Sequence, residues 1–257
     1  MSVLRSRDNA RVRRWASLVR DPAVRKRERR AMIEGPHLVG AALERERRLE
    51  ALVVSESGLA RPAIARLVLS AGMAPAILAD RLFRATFEVE SPQGVAAEIS
   101  TDAAGTPVEG DRVFLEAVQD PGNVGAIIRS AAAFGAASVV VDGKCADPWS
   151  PKALRGGMGG HFGLEIRQCR TLEGELQTFE GMIAAAVSEG GVSLVRATLE
   201  SPIGWLFGSE GAGLSPGVVA LAKQRVTIPI AASSESLNVA AAAAICRYES
   251  RARRGSP

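Results

Sequence analysis

Three polar segments stand where strand-like apolar runs end in the second half of the chain, and their residue types could do chemistry. "DPGNVGAIIRSAAAFG" holds Asn123 and Arg129 six positions apart. "LFGSEGAGLS" places Glu210 among three glycines, and "IPIAASSESLNVAAAAAICRYE" carries Ser236 and Asn238 just before an Ala-rich stretch. Amide, carboxylate, hydroxyl and guanidinium groups that meet in one place can orient a substrate and move a proton.

Each of these residues also has a plainer interpretation. Asn123 lies where the N-cap of a helix over 123–134 belongs, and Arg129 could be a surface residue with a solvated head group. Capping explains Ser236 or Asn238 but not readily both. The run of five alanines at 240–244 allows very close packing, either at a subunit interface or in a crowded core.

Other enzyme chemistries find few residues to use. Neither G-x-x-x-x-G-K-[ST] nor a complete G-x-G-x-x-G is present, which argues against a nucleotide triphosphatase and a Rossmann dehydrogenase. With only His37 and His161 and three scattered cysteines, we expect no metal site, and a reducing compartment fits the cysteines. No G-x-S-x-G elbow supports a serine hydrolase.

The second half of the chain predicts a parallel α/β domain over 112–257. Strand-like runs "RVFLEAV", "SVVVDG", "LEIRQC", "MIAAAVS", "WLFGSE" and "RVTIPI" alternate with helical segments, and a last helix spans 238–253. Repeated βα units give a mostly parallel sheet covered on both faces. Ligands of such sheets bind beyond the carboxyl ends of the strands, where the three polar segments lie.

The first half predicts a smaller α/β domain over 1–100. Helices predicted at 8–19, 38–43, 63–70 and 81–84 alternate with a strand at 31–34 and with "LEALVVS", "PAILA" and "GVAAEIS". "TDAAGTPVEGD", which covers 101–111, is rich in Gly, Pro and small polar residues, so we place a linker there.

Charge is unevenly distributed along the 257 residues. The net charge is +4, but residues 1–50 hold 14 Lys and Arg against 7 acidic residues, which leaves a net charge of −3 for the rest. Such a local excess of arginine is typical of a phosphate-binding surface, and the alternative is an ordinary solvated helix face. The candidate contacts are Arg11, Arg13, Arg14, Arg25, Lys26, Arg27, Arg29 and Arg30.

No targeting or membrane segment is predicted. The N-terminus lacks the apolar stretch of a secretory signal, and the longest apolar run, at 239–246, is far shorter than the ~20 residues that a span needs. We therefore expect a cytoplasmic protein with no membrane partner.

In their order and spacing, the three polar segments resemble the three motifs of the SpoU (TrmH-like) family of RNA ribose 2'-O-methyltransferases, within the SPOUT class. "DPWSPKALRGGMGGHF" is similar to the family's segment between the first and second motifs. In the first half, "IEGPHLVGAAL", "LEALVVS" and "SPQGVAAEI" resemble more loosely the ribosomal-protein-like RNA-binding domain of rRNA-type members.

The resemblance implies a trefoil-knot domain that binds S-adenosylmethionine, preceded by the RNA-binding domain. It also implies a homodimer whose active site borrows from both subunits, and rRNA, most naturally 23S rRNA, as the substrate. On the matching positions, Gly208, Ile228 and Leu237 would contact the cofactor, mostly through backbone groups.

For the reaction, the resemblance implies Arg129 as the group beside the ribose 2'-hydroxyl. Because a guanidinium is hard to deprotonate, an orienting or phosphate-assisted role is favoured over that of a true base. Asn123, Glu210, Ser236 and Asn238 would build the frame around it. Gly157 and Gly160 stand where relatives tend to have small side chains, commonly Ser and Ala; a missing hydroxyl there would remove a phosphate contact and so bear on the choice of substrate. A non-catalytic RNA-binding or ribosome-assembly factor and a tRNA 2'-O-methyltransferase stay open as alternatives.

Overall fold

The computed structural model describes residues 3–88, 91–102 and 108–254. The chain divides into two compact units, Met1–Asp102 with Trp149–Leu154, and Ala103–Pro148 with Arg155–Pro257. Part of the predicted linker, residues 103–107, lies outside the described residues. The domain limits 1–100 and 112–257 stay predictions.

The first unit is built on a mixed five-stranded sheet with the strand order β1-β4-β3-β5-β2. Strands β1, β4 and β3 are parallel, whereas β5 runs antiparallel to both β3 and β2. Its strands are β1 (Val3–Leu4), β2 (Arg30–Glu34), β3 (Leu49–Ser55), β4 (Ala76–Leu78) and β5 (Val95–Ser100). Its helices are α1 (Ala10–Arg20), α2 (Pro22–Glu28), α3 (Pro36–Glu44), α4 (Glu56–Leu59), α5 (Pro62–Ala71) and α6 (Asp80–Phe87).

The core of the first unit forms where α1 and α6 pack on this sheet. Val12, Trp15, Leu18 and Val19 recur at helical spacing on α1 and are all buried, so one face of the helix joins the core. The opposite face keeps its arginines. The helix begins at Asn9, whose side chain accepts from the backbone N–H groups of residues 11 and 12.

A parallel seven-stranded sheet organises the second unit, with the order β10-β12-β9-β11-β6-β7-β8. Its strands are β6 (Arg112–Leu115), β7 (Ser138–Val141), β8 (Glu165–Gln168), β9 (Met182–Ala186), β10 (Val192–Ser193), β11 (Ile203–Phe207) and β12 (Gln224–Thr227). The α-helices that follow β6 in the chain are α7 (Pro121–Ala133), α8 (Pro151–Gly157), α9 (Glu173–Gln177), α10 (Pro216–Ala220) and α11 (Val239–Ala252).

The strands at the middle of this sheet are apolar and buried, as expected for a sheet covered on both faces. Every residue of β7 and of β11 is buried. β6 lies between these two strands, so the loops that follow β6 and β11 leave the same edge of the sheet. The predicted α/β class, with a parallel sheet in the second half, is confirmed.

Several local features differ from the sequence-based expectations. α2 was not predicted because its run of charged residues shows no apolar periodicity. Its helix signals are Asp21, which caps it, and Pro22 in the first turn. The two-residue strand β10 was not predicted either. β12 ends at Thr227, before Ile228 and Pro229. α7 begins earlier than predicted, as described below. Within the described residues, no helix is long and apolar enough to cross a membrane.

Candidate active site

The prediction that Asn123 caps α7 is wrong, because Asp120 is the cap. The Asp120 carboxylate accepts from the backbone N–H groups of Gly122 at 2.6 Å and Asn123 at 3.1 Å, and Pro121 occupies the first turn. Capping by Asp120 leaves the Asn123 side chain free for other contacts.

Asn123 links two other loops by hydrogen bonds. Its side-chain N–H donates to the Glu210 carboxylate in a short contact, and its side-chain oxygen accepts from Asn238 Nδ2 at 3.0 Å. The structure therefore joins Glu210, Asn123 and Asn238 into one chain of hydrogen bonds that connects all three motifs.

The helix cap at Asn238 sets the direction of this chain. Asn238 Oδ1 accepts from the backbone N–H groups of Ala240 and Ala241, so the amide nitrogen is the group left to face Asn123. Asn123 must then present its oxygen to Asn238 and its nitrogen to the carboxylate. Capping and the site contact are both carried by Asn238.

Buried polar contacts fix α11, which begins at this cap. Arg247 donates to Asp111 at 2.7 Å with both side chains almost fully buried, and Trp205 Nε1 donates to the Ser250 hydroxyl at 2.8 Å. Burial alone would raise the pKa of Asp111, but the hydrogen bonds from the Ile203 amide and from Arg247 bring it below its ordinary value. The helix is thereby anchored to β6 and β11.

A cavity of about 470 Å³ lies beside Glu210. The three predicted cofactor contacts, Gly208, Ile228 and Leu237, all line it, as do Glu210 and Ser236. Its other walls include Val226, Ile230 and Val239 together with the polar residues Ser209 and Glu235. Asn123, Arg129 and Asn238 are not among the lining residues.

The cavity fits S-adenosylmethionine in size and chemistry. Small-molecule sites typically enclose about 300–1,000 Å³ between apolar walls with a few polar groups. At Gly208 a Cβ would overlap the backbone of Gly213, so the chain passes itself at a distance that only glycine permits. This tight crossing leaves backbone groups at the cavity wall, as expected for a ligand held mostly by the main chain.

Arg129 is not part of the hydrogen-bond chain and lies on a different face of α7 from Asn123. Six positions after Asn123, it stands about 240° round α7, and its side chain is exposed. Among the described residues it has no hydrogen bond or ion pair. Close packing of Gly160 against the backbone of residues 128 and 129 supports the helix there, since a Cβ on Gly160 would lie 3.0 Å from the Arg129 Cα.

Gly157 has a packing role that the sequence did not reveal. The His161 ring is buried beside it, and a Cβ at position 157 would overlap that ring. His161 Nε2–H donates to the Pro148 carbonyl at 2.8 Å. Burial lowers the pKa of His161 to about 4, so the ring is neutral at pH 7 and supports the loop as a neutral donor.

The arginines of the first unit have different environments. Arg13, Lys26, Arg27 and Arg29 are exposed, and Arg11 is exposed with its guanidinium 4.9 Å from the centre of the Trp15 ring. Within the described residues, the ion pairs of Arg27 and Arg29 are long, at 3.5 and 3.4 Å. These five side chains are available to a polyanion.

Arg25 is a correction to the predicted RNA-binding set. It is 4% exposed and donates to the carbonyls of Leu18 and Val19, so its charge completes the end of α1 inside the unit.

Arg14 and Arg30 are engaged by carboxylates. Arg14 makes two bonds, at 2.7 and 2.8 Å, to the buried Glu98, and the hydrogen bond with Glu98 raises the pKa of Arg14. Arg30 is half-buried and lies 3.4 Å from Glu50 and 3.8 Å from Glu98. Both arginines hold α1 and β2 to the carboxylates of the sheet.

The described residues contain no group of three or more His, Cys, Asp and Glu side chains that could hold a metal ion. The three cysteines are free thiols, and burial raises the pKa of Cys145 and of Cys246 to about 12. Neither thiol is a thiolate at neutral pH.

Comparison with known families agrees with this geometry. The family model for the SpoU rRNA methylase family matches residues 111–248, and that for the MRM3-like substrate binding domain matches residues 9–97. The chain belongs to the SpoU rRNA methylase family. The resemblance drawn from the three motifs is thereby confirmed, and the protein is a methyltransferase.

Relatives with similar sequences cover nearly the whole chain. It is 30% identical over 254 residues to the 23S rRNA (guanosine(2553)-2'-O)-methyltransferase RlmP of Bacillus subtilis. The aligned region covers 98% of this chain and 100% of RlmP. It is 29% identical to the 23S rRNA (uridine(2479)-2'-O)-methyltransferase of Streptomyces viridochromogenes over 94% and 89% of the two chains.

Solved structures extend the similarity to the fold. An rRNA methyltransferase from Sinorhizobium meliloti, crystallised with S-adenosylmethionine bound, superposes with a TM-score of 0.84 at 28% identity and covers 99% of both chains. AviRb from Streptomyces viridochromogenes, also in complex with that cofactor, gives a TM-score of 0.84 at 27% identity and covers 96% of this chain and 99% of AviRb.

Proposed function

We propose that this protein transfers the methyl group of S-adenosylmethionine to a ribose 2'-hydroxyl of 23S rRNA. The observation that carries the proposal is the hydrogen-bond chain Glu210–Asn123–Asn238, which joins the three motifs beside the 470 Å³ cavity. The named activities of relatives that cover 94–98% of the chain support the substrate class.

The cavity residues would hold the cofactor by backbone and apolar contacts. Gly208, Ile228 and Leu237 line the cavity, and the polar residues Glu210 and Ser236 line it too. When bound there, S-adenosylmethionine supplies an electrophilic sulfonium methyl group. The protein has to orient the acceptor hydroxyl against it and exclude water.

The hydrogen-bond chain restricts the direction in which each polar group can act. Glu210 is an acceptor that is already paired with Asn123, and Asn238 is held by its cap. Such a preorganised frame costs no reorganisation when the substrate arrives, which is the main source of electrostatic catalysis. Ser236, exposed at the cavity, would add a hydroxyl to this frame.

Arg129 would orient the ribose or its adjacent phosphate in a homodimer. Within the described residues of one chain Arg129 makes no hydrogen bond to this frame, so we take a second copy as the source of the guanidinium. Exposed apolar residues near the start and along one face of α11, namely Leu237, Ile245 and Tyr248, support such a dimer, and the Tyr248 ring packs edge-on against Phe134 at the end of α7. The trefoil knot and the cytoplasmic location belong to the same proposal.

The first unit would bind the rRNA. Its match to a substrate-binding domain and the exposed Arg11, Arg13, Lys26, Arg27 and Arg29 support this role. Phosphate contacts of this kind position an RNA without reading its sequence. The choice of the methylated nucleotide would therefore depend on the second unit, which contains the cavity.

A methyl-transfer assay tests the proposal. The protein is incubated with radiolabelled S-adenosylmethionine and either transcribed 23S rRNA or a tRNA pool, and ribose methylation is mapped on the product. We expect one labelled 2'-O-methyl nucleotide in 23S rRNA. Label in tRNA alone would make the protein a tRNA 2'-O-methyltransferase instead. RNA binding without any label would favour a non-catalytic RNA-binding or ribosome-assembly factor.

A further inference from the structure

A carboxylate outside the hydrogen-bond chain, Glu116, holds the loop that carries Glu210. Glu116 directly follows β6, and its two oxygens accept from the backbone N–H and from the hydroxyl of Ser215, each at 2.7 Å. The Ser215 hydroxyl also accepts from the Val218 N–H at 3.4 Å and so caps α10. Hydrogen bonds to an ionised acceptor at these distances are among the strong ones.

The backbone around Glu116 is fixed by its neighbours. The Glu116 N–H donates to the Phe207 carbonyl at 2.9 Å, and the Ala117 N–H donates to Asp142 at 3.1 Å. Ala117 has a φ of +54°, a left-handed conformation that a residue with a Cβ adopts only when its surroundings hold it. Glu116 therefore projects from a rigid point at the carboxyl end of β6.

The loop on the other side is exposed and consists mostly of small residues. Between Gly208 and Leu214, its internal backbone contacts are the paired bonds between Ser209 and Gly213. The same loop forms one wall of the cavity. Two side chains from the β6–α7 segment hydrogen-bond to the 208–215 loop. Asn123 contacts Glu210 in the middle of the loop, and Glu116 contacts Ser215 at its end.

We propose that Glu116 is a positioning residue for methyl transfer. By holding Ser215, it keeps the 208–215 loop in the shape in which the cavity is formed and Glu210 meets Asn123. This role rests on the proposed function of the site. The Glu116 side chain bonds Ser215, which does not line the cavity, so the effect of this carboxylate passes through the loop.

Substitutions at both ends of the contact test the role. Glu116→Ala removes both acceptors, Glu116→Gln keeps the shape and one acceptor, and Ser215→Ala removes only the hydroxyl. The control is Glu180→Ala, an exposed carboxylate that has no ion pair among the described residues. Binding of S-adenosylmethionine is measured by calorimetry, steady-state kinetics gives KM and kcat, and hydrogen exchange of residues 208–218 is followed without cofactor.

We expect Glu116→Ala to raise the Kd and KM for S-adenosylmethionine about tenfold and to leave kcat within about threefold, because the bound cofactor restores the loop at saturation. Exchange in 208–218 should accelerate in the cofactor-free variant. Glu116→Gln should recover most of the affinity. The double variant Ser215→Ala with Glu116→Ala should bind S-adenosylmethionine about as tightly as Glu116→Ala alone, because the two residues act through one contact.

Other results would overturn the role. Wild-type affinity and exchange in Glu116→Ala would show that the contact does not position the loop, and a loss of kcat alone would place the residue elsewhere in the mechanism. If the melting temperature falls for Glu116→Ala, affinity and exchange are compared at a temperature at which this variant is fully folded, and wild-type values there still overturn the role. If the wild-type protein itself neither binds the cofactor nor transfers methyl, the proposed function fails instead.

Discussion

Asn238 donates to the side-chain oxygen of Asn123 at 3.0 Å, across 115 positions of sequence. Asn238 also caps α11 with its own oxygen, so one residue fixes a helix start and a site contact. The two roles can be separated by substitution, since an N-cap requires only an acceptor whereas the contact with Asn123 requires a donor.

Asn238→Asp should keep the fold and lose the activity. A carboxylate still caps α11, so the free energy of unfolding should change by less than about 1 kcal/mol. It would face the Asn123 oxygen with an acceptor, and methyl transfer should fall about 100-fold or more. Asn238→Ala should lose both stability and activity, as measured by denaturation and by a methyl-transfer assay on the two variants. An active Asn238→Asp variant would remove this contact from the catalytic frame.

Arg129→Ala should abolish methyl transfer while the protein stays stable and binds S-adenosylmethionine. Because the exposed Arg129 side chain has no partner among the described residues, its removal should change the free energy of unfolding by less than about 0.5 kcal/mol. Exposed Arg170→Ala serves as a control for the loss of one positive charge. Mixing Arg129→Ala with an Asn123→Ala variant tests the dimer: shared sites predict partial recovery of activity, and sites within one chain predict none.

Gly208→Ala should destroy the cavity wall, whereas Gly211→Ala should not. A Cβ at 208 would overlap the Gly213 backbone, while a Cβ at 211 meets no atom within 4 Å. We expect the first substitution to cost about 1–3 kcal/mol and to weaken cofactor binding more than tenfold. Calorimetric titration of both variants with S-adenosylmethionine checks this. Equal affinities would show that the loop tolerates a side chain at the crossing.

Stability should fall between pH 6.5 and 4 because of His161. Burial lowers the pKa of this ring from 6.5 to about 4, and the hydrogen bond to the Pro148 carbonyl and the nearby Asp147 oppose the shift only in part. In that range the unfolded chain binds a proton that the folded protein does not, so the stability present at pH 7 is lost as the pH falls, by up to about 3 kcal/mol. His161→Gln cannot titrate there, and its denaturation midpoint should depend less on pH than that of the wild type.

Neighbouring arginines of α1 should behave differently toward RNA. Arg13→Ala should weaken binding to 23S rRNA and reduce the salt slope by about 0.9 if one phosphate contact is lost. Arg14→Ala removes the two strongest hydrogen bonds of the buried Glu98, so it should destabilise the first unit by about 1–3 kcal/mol. Filter binding at several salt concentrations, together with thermal denaturation, distinguishes the two.

The same measurements apply to α2. Lys26→Glu and Arg27→Glu should weaken binding in a salt-dependent way, because both side chains are exposed. Arg25→Ala should act on stability, since its guanidinium is buried against the carbonyls at the end of α1. An unchanged salt slope for the two charge reversals would argue against this face as the RNA contact.

Local sequence was sufficient for the βα alternation and the three motif loops, because apolar runs, turn residues and caps act over a few positions. It was misleading where two local signals competed. Asp120 and Asn123 are both good cap residues three positions apart, and only the structure shows Asp120 in that role. The charge run 25–30 looked like one cationic surface, although Arg25 turns inward.

The residue types that make a methyl-transfer site, and the family they belong to, were therefore present in the one-dimensional pattern. The contacts among those residues were decided by the tertiary structure. Placing β6 beside β11 brings Glu116 to Ser215, and anchoring α11 through Arg247 and Asp111 brings Asn238 to Asn123. Hydrogen bonds act over about 3 Å, and only the packing of the sheet and its helices can bring groups so distant in sequence that close.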